Sequence, residues 1–561
     1  MAIVLSVSHG LYNAGLLGFY RILERAGKKH LIQEDVPYRG AITVEPEVFE
    51  TFEQDYFEYF KAVYGEQMTV NKMLSGFNAI DATSPNLGEA IKAWLGSYAA
   101  TVDRPTGSYP SAYQIIRTTY GDTYEPAVQM RAIKKEKDSR LQYESLEVLM
   151  AYFKKYRDVF LYKDIAYNIL DSYWGGIAFF NSTKVKDEMN ALYRLEFVQP
   201  CIDAADKLSE NGKYTCSECE TGFSKKVAGF DPISTWLSDY GVDYKRKSSH
   251  DWNFKASAQV CPFCKLVLSC MPAGFFNLKR KGLFVNVNNS IQNLKAFNNT
   301  GTKFSALESY DAYQERTYSQ IINGLNAQMD RTEMGFVVSD VEIIRREGSS
   351  SGDMRYRIQH LDENQLHILE RSMPYLKYYE KRFYQLHDVW INLYTEILRR
   401  LSNGENLYSI CMVYVKAASE GGQKSGFNAQ INLMNLIKTQ VITCFFRRNG
   451  LKGDETALEK NMKKVDVMYH KGIEMRQKMG STSDDVDNKL RGLIYQLTNA
   501  LQAGDKSLFL DRIIRLYAAT KEEIPSLFVE TIKDEDDFMN FGYAFVIGLK
   551  GLPYQTKANV E

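Results

Sequence analysis

Two Cys-x-x-Cys pairs, Cys216-Ser-Glu-Cys219 and Cys261-Pro-Phe-Cys264, are the residues of this chain whose types and spacing specify chemistry most directly. Each pair sets two thiolates at the tip of a tight turn, and two such turns close the tetrahedral sulfur cage that zinc prefers, with bonds of roughly 2.3 Å. The 41 residues between the pairs add only about 3 kcal/mol of closure entropy beyond a constant. A structural zinc ion returns roughly 10–16 kcal/mol. Four thiolates leave no open coordination position, so the expected ion is structural rather than catalytic. A disulfide framework is disfavoured where no secretory signal precedes the pairs, and a thioredoxin-like redox site would show one such motif beside a βαβ pattern. Cys270 is a competitor for ligand duty whose surroundings read as apolar core, as do those of Cys201, Cys411 and Cys444.

Other catalytic signatures are missing from the sequence. It has no Gly-x-x-x-x-Gly-Lys-Ser/Thr loop, no Gly-x-Gly-x-x-Gly and no His-Glu-x-x-His. Two dipeptides, His250-Asp251 and His387-Asp388, are of the kind that metal-dependent phosphohydrolases use, but only seven histidines are scattered over 561 residues. No active site is expected. An HD-type metal-dependent nuclease is the alternative from another class, and a zinc-ribbon scaffold of an unrelated assembly is a third reading.

Charge gives the second signal. Lys plus Arg and Asp plus Glu number 69 each, so nucleic-acid contact would have to come from local patches. Between Lys213 and Lys281 there are eleven cations against six anions. They include the clusters Lys245-Arg246-Lys247 and Lys279-Arg280-Lys281, the second leading into an amide-rich turn at Asn286, Asn288 and Asn289. Cations hold phosphates, and amides read base edges or phosphate oxygens. Further on, Lys489, Arg491, Arg512 and Arg515 alternate with Leu493, Leu497, Leu501, Ile514 and Leu516, a spacing that presents cations away from an apolar helix face.

The elements that must position these groups suggest an α+β class: a mixed N-terminal and central region with a zinc-ribbon-like insertion, then a mostly α-helical C-terminal bundle. The opening run to Ser8 reads as a strand rather than a signal peptide. No apolar stretch approaches the roughly 20 residues a membrane helix needs, so a cytoplasmic protein without a membrane partner is expected. Leu11 to Leu23 is apolar on most faces, which predicts a buried helix whose Gly15 and Gly18 admit a closely packed neighbour. Ile42 to Val44 reads as a strand, and Pro46 opens an aromatic-rich helix running to about Tyr64. Residues 86–210 read as mostly helical, broken by a loop near Pro105 to Pro110. Thr300 to Ala327 reads as helix. Phe336-Val-Val, Val341 to Ile344 and Arg355 to Ile358 read as strands, the last two flanking a loop at Gly348 to Gly352. Helical pattern returns at Leu361 and continues through Tyr375 to Leu401 and beyond Glu405, with Gly404 as a boundary. The expected division is 1–210, 211–300, 301–403 and 404–561. The 37 Tyr and 30 Phe are read as core.

Five blocks carry a family resemblance. Leu11-Tyr-Asn-Ala-Gly-x-x-Gly-Phe-x-Arg-Ile-Leu23, the paired Cys-x-x-Cys and Gly282-x-Phe-Val-Asn286 form the first three. Lys489-x-Arg491-Gly492 with Ala503-Gly-Asp-Lys506, and Gly542-Tyr-Ala-Phe545-x-x-Gly548-Leu549, follow in order. Together they resemble the large subunit of the type I-B CRISPR effector complex Cascade, specifically its zinc-containing Cst family of the Tneap subtype. The resemblance implies a non-catalytic organiser of RNA-guided DNA binding. Such a subunit contacts the crRNA handle, reads the protospacer-adjacent motif on double-stranded DNA, promotes R-loop formation and recruits a separate helicase-nuclease. Its implied partners are crRNA, target DNA with its displaced strand, and the backbone, handle-binding and small subunits of the complex. The C-terminal part would resemble the small subunit. The division of labour is that of other RNA-guided systems, in which base pairing reads sequence while protein reads the motif and the backbone.

Overall fold

The computed structural model describes residues 3–34, 40–105, 107–174, 188–205, 214–216, 218–223, 260–278, 281–288, 290–298, 340–347, 355–379, 382–386, 389–419, 432–480 and 483–552. The expected helix between Thr300 and Ala327 and the strand Phe336-Val-Val lie outside them. By internal packing the chain forms two units, Met1–Glu308 with Asn326–His360, and Ser309–Leu325 with Leu361–Glu561.

In the first unit, β1 (Ile3–Ser6), β2 (Ile32–Glu34) and β3 (Ala41–Val44) form a sheet in the order β1-β3-β2. Both outer strands run antiparallel to β3, which sets Ile3 and Ile32 opposite Val44. From β1 the chain enters the first helix, Gly10–Arg25, capped at its start by the His9 ring accepting from the Tyr12 N–H. It ends at Gly27, whose φ of 75° suits a residue without a Cβ. All but three of its sixteen residues are buried, as its all-round apolar pattern requires.

The partner of that helix is the central segment. Helices Pro262–Ser269 and Met271–Gly274 lie against it so closely that a Cβ on Gly15 would stand 2.4 Å from the Val267 carbonyl oxygen. One on Gly18 would stand 2.0 Å from that of Cys270. At the far end, the Arg21 guanidinium donates to the carbonyls of Ala273, Gly274 and Asn298 at 2.6–3.0 Å. Beyond β4 (Tyr214–Thr215) and β5 (Gly222–Phe223), a paired hairpin, a second sheet runs β6 (Phe276–Leu278), β7 (Lys281–Asn286), β8 (Asp340–Glu347), β9 (Arg355–Asp362) in that order. Phe284 pairs with Ile344 across β7 and β8, and both join the core under the first helix.

Much of the rest of this unit is helical and aromatic. Pro46 opens a short 3-10 turn, Pro46–Phe49, and the α-helix proper is Phe52–Tyr64. The single helix expected from Pro46 is thus broken at Glu50 and Thr51, where Thr51 leaves helical geometry with φ −130° and ψ 21°. Tyr56 stacks on Tyr193 at 4.2 Å and donates to the Ser269 carbonyl at 2.8 Å, so these aromatics are core that also braces the cysteine-bearing helix.

The second unit is a helical assembly around two buried helices, Leu433–Asn449 and Glu535–Lys550. The latter crosses Glu455–Lys478 through reciprocal glycines: a Cβ on Gly548 would lie 2.0 Å from the Tyr469 oxygen, and one on Gly472 2.3 Å from the Phe545 oxygen. One stretch departs from the expected helix between Tyr375 and Leu401. There β10 (Phe383–Leu386) pairs antiparallel with β11 (Val389–Asn392), between helices Glu363–Leu376 and Leu393–Ser402. Two runs rich in aromatic and β-branched residues favour extended backbone over helix. Gly404 lies just past Leu393–Ser402 with φ 70°.

Candidate metal centre

Each cysteine pair is presented by a different local device. In the first, β4 and β5 pair Thr215 with Gly222, and the intervening turn is closed by the Glu220 N–H on the Cys216 carbonyl at 3.0 Å. Glu220 takes a left-handed φ of 59° there. In the second, Cys261 is the N-cap of helix Pro262–Ser269, with Pro262 in the first turn where its missing N–H is harmless. The Cys261 sulfur accepts from the Cys264 N–H at 3.4 Å, and the helix N-terminus favours negative charge at that place.

The two devices converge. The four sulfurs of Cys216, Cys219, Cys261 and Cys264 all lie within 4.8 Å of one another, and Cys219 Sγ is 3.8 Å from Cys261 Sγ. A tetrahedron with bonds of roughly 2.3 Å has an edge of about 3.8 Å, so the donor set and this spacing fit a thiolate-bound tetrahedral ion. Backbone donors surround the sulfurs: Cys216 Sγ accepts from the Glu218 N–H at 3.4 Å and from the Cys261 N–H at 3.2 Å. Four sulfurs this close cannot all carry charge without a cation. Hydrogen bonding to Cys216 pulls the Cys219 thiol far down, while burial pushes Cys261 up. Cys270 stands apart, buried and donating to the Leu266 carbonyl at 3.3 Å. Cys201, Cys411 and Cys444 are buried as well, with Cys201 donating to the Phe197 carbonyl at 3.2 Å and Cys444 accepting from Gln440 Nε2 at 3.4 Å.

Two residues near the sulfurs were not singled out by spacing alone. Tyr12, 1% exposed, has its hydroxyl 3.5 Å from Cys264 Sγ, and burial pushes its phenol well above the usual value so that it stays a donor. His9 Nε2 lies 2.8 Å from Glu218 Oε2, inside the first Cys-x-x-Cys pair. The only sequence signal for them is position: they open the same helix that carries Gly15 and Gly18.

The proposed nucleic-acid residues divide by environment. Lys245, Arg246, Lys247, Lys279, Arg280 and Asn289 lie outside the described residues, as do His250-Asp251 and His387-Asp388. Lys281 is half-buried at the start of β7. Asn286 is 1% exposed, accepting from Asn13 Nδ2 at 2.8 Å and donating to Glu342 at 2.8 Å and Asn288 at 3.1 Å. Its amide is engaged inside the fold, while Asn288 is exposed. This network joins two of the resemblance blocks, Leu11–Leu23 and Gly282–Asn286, across 273 residues of sequence.

On helix Ser483–Ala503, Lys489 and Arg491 are exposed opposite buried Leu490, Ile494 and Leu497. Arg515, also exposed, shares Asp511 with half-buried Arg512 at 3.0 and 3.6 Å. Ile514, read from the sequence as part of an apolar face, is 50% exposed. A cleft of about 1510 Å³ in the first unit is lined by Lys61, Lys154, Lys155 and Arg157 together with Glu66, Glu147 and Asp158, a mixed field. No helix among the described residues is long and apolar enough to cross a membrane.

Residues 210–276, which span all four cysteines, match the family model described as CRISPR-associated protein (Cas_CXXC_CXXC). No curated protein and no solved structure matches the chain. What the chain is similar to, over the segment that builds the sulfur cage, is a family of CRISPR-associated proteins.

Proposed function

We propose that this chain is the non-catalytic large subunit of a type I-B CRISPR surveillance complex in the cytoplasm, with structural zinc held by Cys216, Cys219, Cys261 and Cys264. The observation that carries the reading is the coincidence of a closed four-sulfur cage with a CRISPR-associated family match over the same residues. In this reading the ion sets the geometry of the two turns and leaves no position for substrate. Phosphate contacts come from the basic segments Lys245–Lys247 and Lys279–Lys281 with Asn288, and from Lys489, Arg491, Arg512 and Arg515 on helices of the second unit. Guide pairing supplies sequence recognition, and this subunit holds the handle, reads the protospacer-adjacent motif, supports the R-loop and presents a surface to the helicase-nuclease.

Reconstitution tests this. The purified chain, mixed with repeat-derived crRNA and the backbone and handle-binding subunits from the same locus, should enter one complex. That complex should bind matched duplex DNA and leave it uncut with Mg²⁺ or Mn²⁺ until the helicase-nuclease is added. Charge reversal at Lys279, Arg280 and Lys281 should weaken capture and flatten its salt dependence. Cleavage by the chain alone, or target capture by a complex lacking it, refutes the proposal.

A further inference from the structure

The first turn of helix Gly10–Arg25 holds both halves of the sulfur cage, through side chains more than two hundred positions away in sequence. Tyr12 reaches the second pair, its hydroxyl 3.5 Å from Cys264 Sγ. His9 reaches the first: its Nδ1 accepts the Tyr12 N–H at 3.4 Å, which leaves the proton on Nε2 to be donated to Glu218 at 2.8 Å. The Glu218 side chain is only 3% exposed, so this bond satisfies a nearly buried carboxylate.

We infer that Tyr12 and His9 are positioning residues for the metal, Tyr12 by orienting the Cys264 thiolate and His9 by fixing the Cys216–Cys219 turn through Glu218. A divalent ion with four thiolates carries a net charge of −2 into a site where three of the four cysteines are buried. Hydrogen-bond donors to the sulfurs spread that charge and select one orientation for each ligand. Backbone N–H groups serve Cys216 and Cys261. For Cys264 the donor is the Tyr12 hydroxyl, carried on a helix that close glycine packing keeps from drifting.

The second consequence is reciprocal. If the helix turn favours the loaded cage, then the loaded cage orders the helix turn by the same free energy. Metal occupancy thereby reaches the Asn13–Asn286–Asn288 network at the same end of the helix, whose Asn288 faces solvent.

The inference rests on the zinc reading above, and the experiment separates the two. Zinc affinity of the full-length chain is measured by competition with a chromophoric chelator for wild type, Tyr12→Phe and His9→Asn. Asparagine keeps an N-cap acceptor but is too short to reach Glu218. Both variants should bind one zinc with affinity lowered about 10-fold or more. Cobalt(II)-loaded Tyr12→Phe should show its sulfur-to-cobalt charge-transfer band shifted to lower energy, a change that loss of packing elsewhere would not produce. In wild type, chelation should speed hydrogen exchange at residues 9–13 while leaving residues 16–23 protected. A wild type that takes up no zinc overturns the zinc reading itself. A wild type that binds normally, beside a Tyr12→Phe with unchanged affinity and band, overturns the positioning role alone. Should a variant fail to fold, exchange at residues 9–13 in wild type that ignores chelation overturns it equally.

Discussion

Replacing Gly18 with alanine tests the central claim about packing, that the first helix and the cysteine-bearing segment meet backbone to backbone. The added methyl would lie 2.0 Å from the Cys270 oxygen and 2.8 Å from the Gly274 nitrogen, both backbone atoms that cannot rotate away. Restoring ordinary contact requires the two helices to part by more than about 1 Å. Overpacking of this kind costs typically 1–3 kcal/mol and occasionally more, against which alanine returns about 1 kcal/mol of helix propensity. A contact this close on immobile backbone takes the upper end of that cost, about 3 kcal/mol, so the net expectation is a loss of about 2 kcal/mol. Gly96 supplies the control: it lies in helix Leu87–Asp103, and its Cβ would meet nothing within 4 Å. Gly96→Ala should therefore stabilise by up to about 1 kcal/mol. Urea unfolding of both variants, with zinc content measured on the same samples, should place them about 3 kcal/mol apart, with Gly18→Ala also releasing zinc more readily. If the two behave alike, the close approach is not a feature of the protein and the coupling of first helix to cage falls with it.

Three other expectations follow from the same geometry. Serine at Cys216 or Cys264 leaves three sulfurs in the cage, and atomic emission should find less than one zinc per chain; full occupancy in either variant contradicts the four-sulfur site. Asp164 is buried, with its carboxyl pushed up to about 6 by desolvation despite bonds from Ser108 at 2.7 Å and Val70 at 3.2 Å. Because the unfolded value is about 3.9, the native state holds the extra proton, so this group's contribution to stability is full below pH 4 and is lost, by about 3 kcal/mol, as pH rises from 4 through 6. Asp164→Asn should remove that component, seen as a smaller fall in the urea midpoint between pH 4 and pH 7 than in wild type; an unaltered slope refutes it. Alanine at Gly548 or Gly472 should each cost about 2 kcal/mol through the Tyr469 and Phe545 carbonyls. The double variant should lose less than the sum, since one separation of the helices relieves both contacts.

Where one side chain type admits one structural meaning, the sequence was legible. The cysteine spacing announced the cage because four soft ligands in two tight turns have few other uses. Gly15 and Gly18 announced a close neighbour because a buried helix does not otherwise tolerate them. Val341–Ile344 and Arg355–Ile358 fell into adjacent strands β8 and β9, as the glycine-serine loop between them suggested. What failed depended on partners remote in sequence. Phe383–Leu386 and Val389–Asn392 read as helix because their apolar residues also satisfy a helical period over so short a window. Asn286 read as a surface amide because nothing local reveals that Asn13 and Glu342 close around it. Tyr12 and His9 carry no motif of their own, and their role appears only when residues 209 and 252 positions away arrive beside them.

The size of the hairpin that carries Cys216 and Cys219 indicates what a metal held by the four sulfurs would do. Strands β4 and β5 have two residues each, and an isolated two-stranded hairpin is at best marginal even when longer. Cys216 is buried, yet a hairpin this short is not expected to hold it there unaided. The first helix and Pro262–Ser269 are in the opposite position, enclosed by core on nearly every face. An ion shared between a weak hairpin and a strong helix would therefore order the hairpin and barely alter the helix. Removing zinc should melt residues 214–223 and loosen the His9 turn while circular dichroism keeps most of its helical signal. The physical task of the cage is thus to fasten a small turn onto a rigid helical body.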